Sequence, residues 1–242
     1  MSEKKVVKKR FNFKKFLILL LFLYVIGYFI YYLFNLPIKN IVIKGTYNLT
    51  DYEIIETAKI KDYPSLFRTS SKTLIKRLNT LDLVKSVEID KSLTGVLTID
   101  ITENKLLFIR KGTDKLVLEN GTEIEPNGYV GVATLINYVP EDLYNSLIEG
   151  LSKVDRSNLQ MISEIEYNSY LNSKGEVIDN ERFLLRMNDD NTVYINLMNA
   201  DKLNHYQEII SSLEDKKGVL YLDSSSAEKY IFTTYESLVK NE

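Results

Sequence analysis

The sequence predicts an α+β protein in three parts: a transmembrane helix near the N-terminus, a compact β-α-α-β-β unit, and a mixed α/β unit on a largely antiparallel, curved sheet. Three observations carry this. Residues 16–34 are uncharged and almost wholly apolar. Over residues 38–103, two stretches of helical spacing sit among three strand-like runs. Beyond residue 105, short β-rich runs alternate with turn signals and two further helical patterns.

A helix needs about 20 apolar residues to cross a hydrocarbon core of ~30 Å, and it satisfies its own amides and carbonyls. Residues 16–34 meet both conditions, so the lipid bilayer is their expected surrounding. The leader, residues 1–15, carries Lys4, Lys5, Lys8, Lys9, Arg10, Lys14 and Lys15 against Glu3. That excess keeps the leader cytoplasmic and sends the remainder across the membrane. Tyr28, Tyr31 and Tyr32 crowd the outer end, where amphipathic rings favour the interface. A signal-peptide core is shorter, about 7–15 residues, and ends at a small-x-small site. Asn35-Leu36-Pro37-Ile38 supplies no such site, so an uncleaved anchor is expected.

The next unit is expected over 36–104. Asn40 to Lys44 reads as a strand closed by Gly45. Thr50-Asp51-Tyr52-Glu53 is a capping box that starts a helix with Ile54, Ile55 and Ala58 on one face. After the Tyr63-Pro64 break, Ser71 is the expected cap of a second helix carrying Leu74, Ile75, Leu78 and Leu81. Val87 and Ile89 alternate with Ser86, Glu88 and Asp90, and a turn at Ser92 to Gly95 leads to a closing strand. There Leu97, Ile99 and Ile101 face one way while Thr98, Asp100 and Thr102 face the other, the pattern of a half-buried strand.

The second unit is expected over 105–235. Leu106 to Ile109 and Lys115 to Leu118 read as strands. Asn120-Gly121 is a strong hairpin signal because both residues tolerate positive φ. Pro140 opens a helix with Leu143, Leu147, Leu151 and Val154 inward. Strands follow at Ile162 to Tyr167, Phe183 to Met187 and Val193 to Leu197, the last two joined by an Asp190-Asn191 turn. A helix begins near Asp201 with Leu203, Tyr206, Ile210 and Leu213 inward. Gly218 precedes two closing strands, Val219 to Leu222 and Lys229 to Thr233. Residues 236–242 are expected to be a short frayed tail.

Composition narrows the chemistry. The net charge is −2, and the leader alone contributes +6, which leaves −8 on the exported part. This argues against nucleic acid or an anionic lipid surface as the main partner of the exported part. No cysteine is present, which excludes disulfides and thiol nucleophiles. His205 is the single histidine and lies on a polar helix face. Asp189-Asp190-Asn191 lacks the glycine and distal glutamate of a calcium loop and reads as a hairpin turn. Ser224-Ser225-Ser226 lacks a nucleophile elbow's flanking glycines. No enzyme, cofactor, metal or small-molecule substrate is expected.

Several local patterns share an order. Ile41-Val42-Ile43-Lys44-Gly45 resembles the first strand of a POTRA domain, and Val84 to Glu103 its closing hairpin. Leu118-Glu119-Asn120-Gly121-Thr122 resembles a D-x-x-G turn, and Ile162-Ser163-Glu164-Ile165 an S-E-I strand. Ala200-Asp201-Lys202-Leu203 with Tyr206 resembles a K-L-x-x-Y helix start. Gly218 to Leu222 resembles a G-x-x-D-L-R strand, with Tyr221 in place of the usual aspartate and Asp223 in place of the arginine. Together these resemble the FtsQ/DivIB family of bacterial cell-division proteins across nearly the whole chain.

The resemblance implies a POTRA-type first unit, and a divisome scaffold that supports septal peptidoglycan synthesis and localises to the division septum. It implies partners of the FtsL and FtsB/DivIC types, small bitopic proteins. Its partner site falls on the last strand, so the expected contact residues are Lys229, Tyr230, Ile231, Phe232 and Thr233, with Tyr221 beside them. Edge strands offer unpaired backbone groups to another chain, which supports the choice independently. A proline at Ile231 is expected to remove one such donor. The alternatives are a POTRA-bearing membrane adaptor in secretion or envelope assembly, and a wall hydrolase limited to carboxylate chemistry.

Overall fold

The computed structural model describes residues 11–214, 216–223 and 230–239. The leader through Arg10, the Ser224-Ser225-Ser226 stretch and Lys229 lie outside the described residues. The chain divides into two compact units, Met1–Thr102 and Glu103–Glu242.

The first unit begins with α1, Phe13–Asn35, capped by Asn12, whose side chain accepts from the Lys15 amide. None of its residues is buried against protein. Among the described residues it is the one helix long and apolar enough to cross a membrane. Strand β1 (Asn40–Lys44) is followed by α2 (Asp51–Ala58), α3 (Ser71–Leu78), β2 (Val84–Lys91) and β3 (Val96–Glu103). The sheet order is β1-β3-β2, with β1 parallel to β3 and Ile43 opposite Ile99. Leu97, Ile99 and Ile101 are buried, as are Ile54, Ala58, Leu74 and Leu78 of the helices. The alternation in β3 and the 3–4 spacing in the helices thus select the core face. The capping box forms as expected: the Glu53 amide donates to Thr50 Oγ1, and the Thr50 amide donates to Glu53 Oε2 at 2.9 Å. Ser71 is not the cap of α3; Ser70 has the extended backbone that a cap requires, and Ser71 is the first helical residue. Gly45 has φ +77°, and a Cβ there would lie 2.1 Å from the Ile101 carbonyl oxygen, so only glycine lets β1 end where it does.

The second unit contains β4 (Leu106–Arg110), β5 (Lys115–Leu118), β6 (Glu123–Ile124), β7 (Ala133–Leu135), β8 (Ile162–Tyr167), β9 (Tyr170–Leu171), β10 (Val177–Asp179), β11 (Arg182–Met187), β12 (Thr192–Asn196), β13 (Gly218–Tyr221) and β14 (Ile231–Thr234). Helices α4 (Glu141–Ser152) and α5 (Arg156–Leu159) follow β7. A 3-10 segment (Leu197–His205) and α6 (Tyr206–Ser212) follow β12, and α7 (Tyr235–Val239) follows β14. Nine strands form one sheet in the order β14-β13-β12-β11-β8-β7-β4-β5-β6; β9 and β10 form a separate hairpin. Antiparallel pairs predominate, with parallel pairs where β12 meets β13, β7 meets β8 and β4 meets β7. The core gathers Phe108, Leu147, Leu151, Phe183, Leu203 and Leu220.

Three expectations change here. Of Asn120-Gly121, only Gly121 has positive φ. Asn120 instead accepts from the Thr122 amide through its side chain, so the loop is a type I turn closed by a left-handed glycine. After Asp201 the chain first winds as a 3-10 helix, with three residues per turn. Ile209 is buried beside Leu203 and Tyr206, while Ile210 and Leu213 pack against the same core at partial burial. Where a tail is expected, α7 forms, because Thr234 Oγ1 accepts from the Ser237 amide.

Glu103 has a fully buried side chain, with Arg156 Nη1 at 3.5 Å and Arg156 Nη2 donating to the Glu103 carbonyl. Removing one partner of a buried pair leaves an uncompensated charge. Glu103→Ala is therefore expected to destabilise the second unit by about 3 kcal/mol, read from its denaturant midpoint. Thr50→Ala is expected to cost the first unit about 1 kcal/mol. The Thr50 backbone and hydroxyl hydrogen bonds hold the Glu53 carboxyl below its ordinary value. The cap's contribution is thus present above the usual carboxylate range and fades as pH falls through the lowered value. An acid titration of stability should show this limb in the wild-type chain and a smaller one in Thr50→Ala.

Candidate partner-binding edge

Strand β14 is outermost in the nine-stranded sheet and pairs antiparallel with β13: Tyr221 opposite Ile231, Leu220 opposite Phe232, Val219 opposite Thr233, Gly218 opposite Thr234. The direction of each amide follows from three bonds around this pair. The Gly218 amide donates to Asn191 Oδ1 at 2.9 Å and the Leu222 amide to the Tyr194 carbonyl at 2.8 Å, both on the β12 side. The Tyr235 amide donates to the Lys217 carbonyl, across the β13–β14 ladder. Backbone groups alternate along a strand with period two. Val219 and Tyr221 therefore bond to Thr233 and Ile231, while the amides and carbonyls of Phe232 and Thr234 point away from β13. This corrects the expectation for Ile231: its amide belongs to the internal ladder, and a proline there would unseat β14 itself.

The side chains alternate as well. Phe232 and Tyr230 pack against the core. Ile231 is 47% exposed on the opposite face, and Thr233 shares that face at partial burial. Tyr221, one strand in, stacks on Tyr194 with ring centroids 5.3 Å apart and 11° between planes. Burial pushes the Tyr221 phenol up, reinforced by the neighbouring Tyr194. Arg182 lies over the Tyr194 ring at 3.6 Å and binds Asp223 Oδ2 at 2.7 Å. The two substituted positions of the closing strand, Tyr221 and Asp223, are thus both used in one cluster. Register places Leu184, Tyr194, Tyr221 and Ile231 in a row across β11, β12, β13 and β14. Leu184, Tyr194 and Arg182 escape a reading of the sequence, since alternation marks their face and only strand pairing puts them beside Tyr221.

The edge is held in place by the β11–β12 turn. Asp189 accepts from the Tyr206 hydroxyl at 2.8 Å and from Asn191 Nδ2 at 3.0 Å. Tyr206 is almost completely buried, and that burial, with the Asp189 hydrogen bond, pushes its phenol well above the usual range. Asn191 is 1% exposed and passes the connection to Gly218. From the C-terminal side, the Tyr235 hydroxyl donates to the Asp190 carbonyl at 3.1 Å and lies 2.9 Å from Thr192 Oγ1. Helix α7 thereby turns back toward β12. Asp189-Asp190-Asn191 is a hairpin turn, with Asp190 at φ +67°.

Acid–base chemistry has little to work with at this end of the unit. His205 and Glu208 are 3.5 Å apart and largely exposed, beside a groove that Ile209, Leu222 and Tyr230 also line. Among the described residues no group of three metal-ligating side chains converges.

Residues 36–104 match the model of the FtsQ-type POTRA domain. The chain is similar to DivIB cell division proteins. It is 29% identical to the cell division protein DivIB of Bacillus subtilis (strain 168) over 214 residues, 85% of this chain and 76% of that protein. DivIB of Bacillus anthracis is 26% identical over 90% of this chain and 83% of its own length. A solved extracytoplasmic domain of DivIB from Geobacillus stearothermophilus aligns at 21% identity over 47% of this chain and 96% of that one, with a TM-score of 0.35. The two Bacillus relatives support a role in cell division, and α1 fits a single-pass membrane protein.

At Gly218 a Cβ would lie 2.2 Å from the Thr233 carbonyl oxygen and 2.8 Å from Thr234 Cα. Gly218→Ala is expected to push β14 off β13 at a cost of about 1–3 kcal/mol. Faster hydrogen exchange at the Val219 and Thr233 amides, with the first unit's amides unchanged, is the readout.

Proposed function

We propose that this protein is a single-pass scaffold of the division machinery. Its N-terminus stays in the cytoplasm and both units lie outside. It takes a small bitopic partner of the FtsL or FtsB/DivIC type by strand addition along β14, and so supports septal peptidoglycan synthesis. The observation that carries this reading is the position of β14: outermost in the sheet, with the backbone groups of Phe232 and Thr234 facing outward. Backbone pairing along such an edge supplies affinity, and alternate side chains supply selection. Ile231 and Thr233 would read one face of an added strand, and Tyr230 and Phe232 the other. The Arg182–Asp223 pair and the stacked Tyr194 and Tyr221 stiffen the neighbouring strands, which lowers the ordering cost of binding. Lys229 belongs to this site by sequence position.

The amide directions define the test. Phe232→Pro removes an outward donor and leaves the β13 ladder intact, whereas Phe232→Leu keeps the donor. Co-purification of the division partners should be lost in the first variant and kept in the second, with both folded by thermal melt. Equal capture by both would reject strand addition. Septal accumulation of a fluorescent fusion is the second expectation; uniform membrane signal in dividing cells would favour a general envelope adaptor.

A further inference from the structure

The junction between α1 and the first unit is bonded rather than a free linker. Ser65 Oγ donates to the carbonyl of Phe34 at 2.6 Å, and Arg68 Nη2 donates to Asn35 Oδ1 at 3.4 Å. The Leu66 amide donates to the Leu36 carbonyl at 2.9 Å, the Ile38 amide donates to the Pro64 carbonyl at 3.0 Å, and Pro37 bridges Ser65. Leu36, Ile38 and Leu66 are buried within this short pairing. On the other side the Lys39 amide donates to the Gly95 carbonyl at 2.8 Å. Ser65 and Arg68 are therefore held within hydrogen-bonding reach of the last helical residues, with Pro64 and Leu66 paired to the residues just beyond them.

A helical run over 16–34 is about 28 Å long, enough to put Phe34 at the edge of a ~30 Å hydrocarbon core. The headgroup layer adds roughly 5–7 Å in each leaflet. Groups bonded to Phe34 and Asn35 cannot lie deeper in water than that layer. Arg68 and Lys39 are both exposed, and neither meets a carboxylate among the described residues. Tyr63 is 52% exposed, and Tyr28, Tyr31 and Tyr32 form an exposed belt one or two turns below Asn35. A helix end with rings at the boundary and unpaired cations just above it is matched to lipid, which offers apolar chains below and phosphate above.

We propose that the first unit is seated on the bilayer: the segment 63–69 lies in the headgroup layer where α1 emerges, and Arg68 and Lys39 bind lipid phosphate. The seat fixes the start of the unit relative to the membrane, because the bonds to Phe34, Asn35 and Leu36 leave no slack between helix and domain. This rests on α1 being a membrane span.

The chain has no cysteine, so single labels can be introduced cleanly. The full-length protein is reconstituted in vesicles of phosphatidylethanolamine and phosphatidylglycerol, with a fluorophore on Ser70→Cys or, separately, on Leu21→Cys. Ser70 is exposed and its side chain makes no capping bond, which makes it a mild site. A headgroup nitroxide lipid should remove most of the Ser70→Cys emission, and a deep acyl-chain nitroxide most of the Leu21→Cys emission. If Leu21→Cys is quenched deeply while Ser70→Cys responds only to an aqueous quencher, the seat is wrong and the span stands. If Leu21→Cys is not quenched, the span itself fails and the seat with it. In the Ser70→Cys background, Lys39→Gln with Arg68→Gln should abolish the extra headgroup quenching gained on adding phosphatidylglycerol. Persistence of that gain would overturn the phosphate contact.

Discussion

The buried side chain of Asn191 sets the geometry of the whole C-terminal edge. Its carboxamide oxygen takes the amide of Gly218, so β13 can start only where the β11–β12 turn allows. Its own orientation is fixed by Asp189, which also holds the phenol of the buried Tyr206. A buried polar group without partners is costly, and a fully satisfied network is rigid for the same reason. Four elements meet through these few bonds: the β11–β12 turn, α6, β13 and, through Tyr235, the C-terminal helix. Once β13 is placed, Gly218 admits β14 at close range, and the amides of Phe232 and Thr234 must face outward. Among the described residues, β14 is the outermost strand of that sheet.

Its two faces differ in character. Toward the core, Phe232 and Tyr230 add apolar area to a well-packed interior. Toward the outside runs the row Leu184, Tyr194, Tyr221 and Ile231, in which an arginine stacked on a ring is also paired to Asp223. Cation–ring and ion-pair contacts on one guanidinium cooperate because each holds the plane that the other needs. The result is a stiff platform beside the outermost strand of the described sheet. At the other end of the chain the helix end, the segment 64–66 and Gly95 are joined by backbone bonds, so the apolar helix and the fold after it are continuous.

Much of this fold was legible in the residues. The apolar run 16–34, the Thr50–Glu53 capping box and the alternation from Val96 to Glu103 specified their elements because each depends on neighbours a few positions away. The Asp190-Asn191 turn and the hairpin after Leu118 were readable for the same reason, although Asn120 uses its side chain rather than a left-handed backbone. The short strands β6, β7, β9 and β10 and helices α5 and α7 escaped, being too brief for any periodicity to register.

Read as residues, the chain already shows an apolar helix ahead of two α+β units, the faces of their strands and helices that are buried, and a strand late in the second unit. Strand pairing is what makes this strand the outermost of nine, turns the Ile231 amide inward and the Phe232 amide outward, and brings Tyr221 and Asp223 to Tyr194 and Arg182. The physical reason is sequence distance. Local patterns encode periodicity and caps, whereas register and amide direction are set by pairings between residues such as Asn191 and Gly218, which no local signal joins.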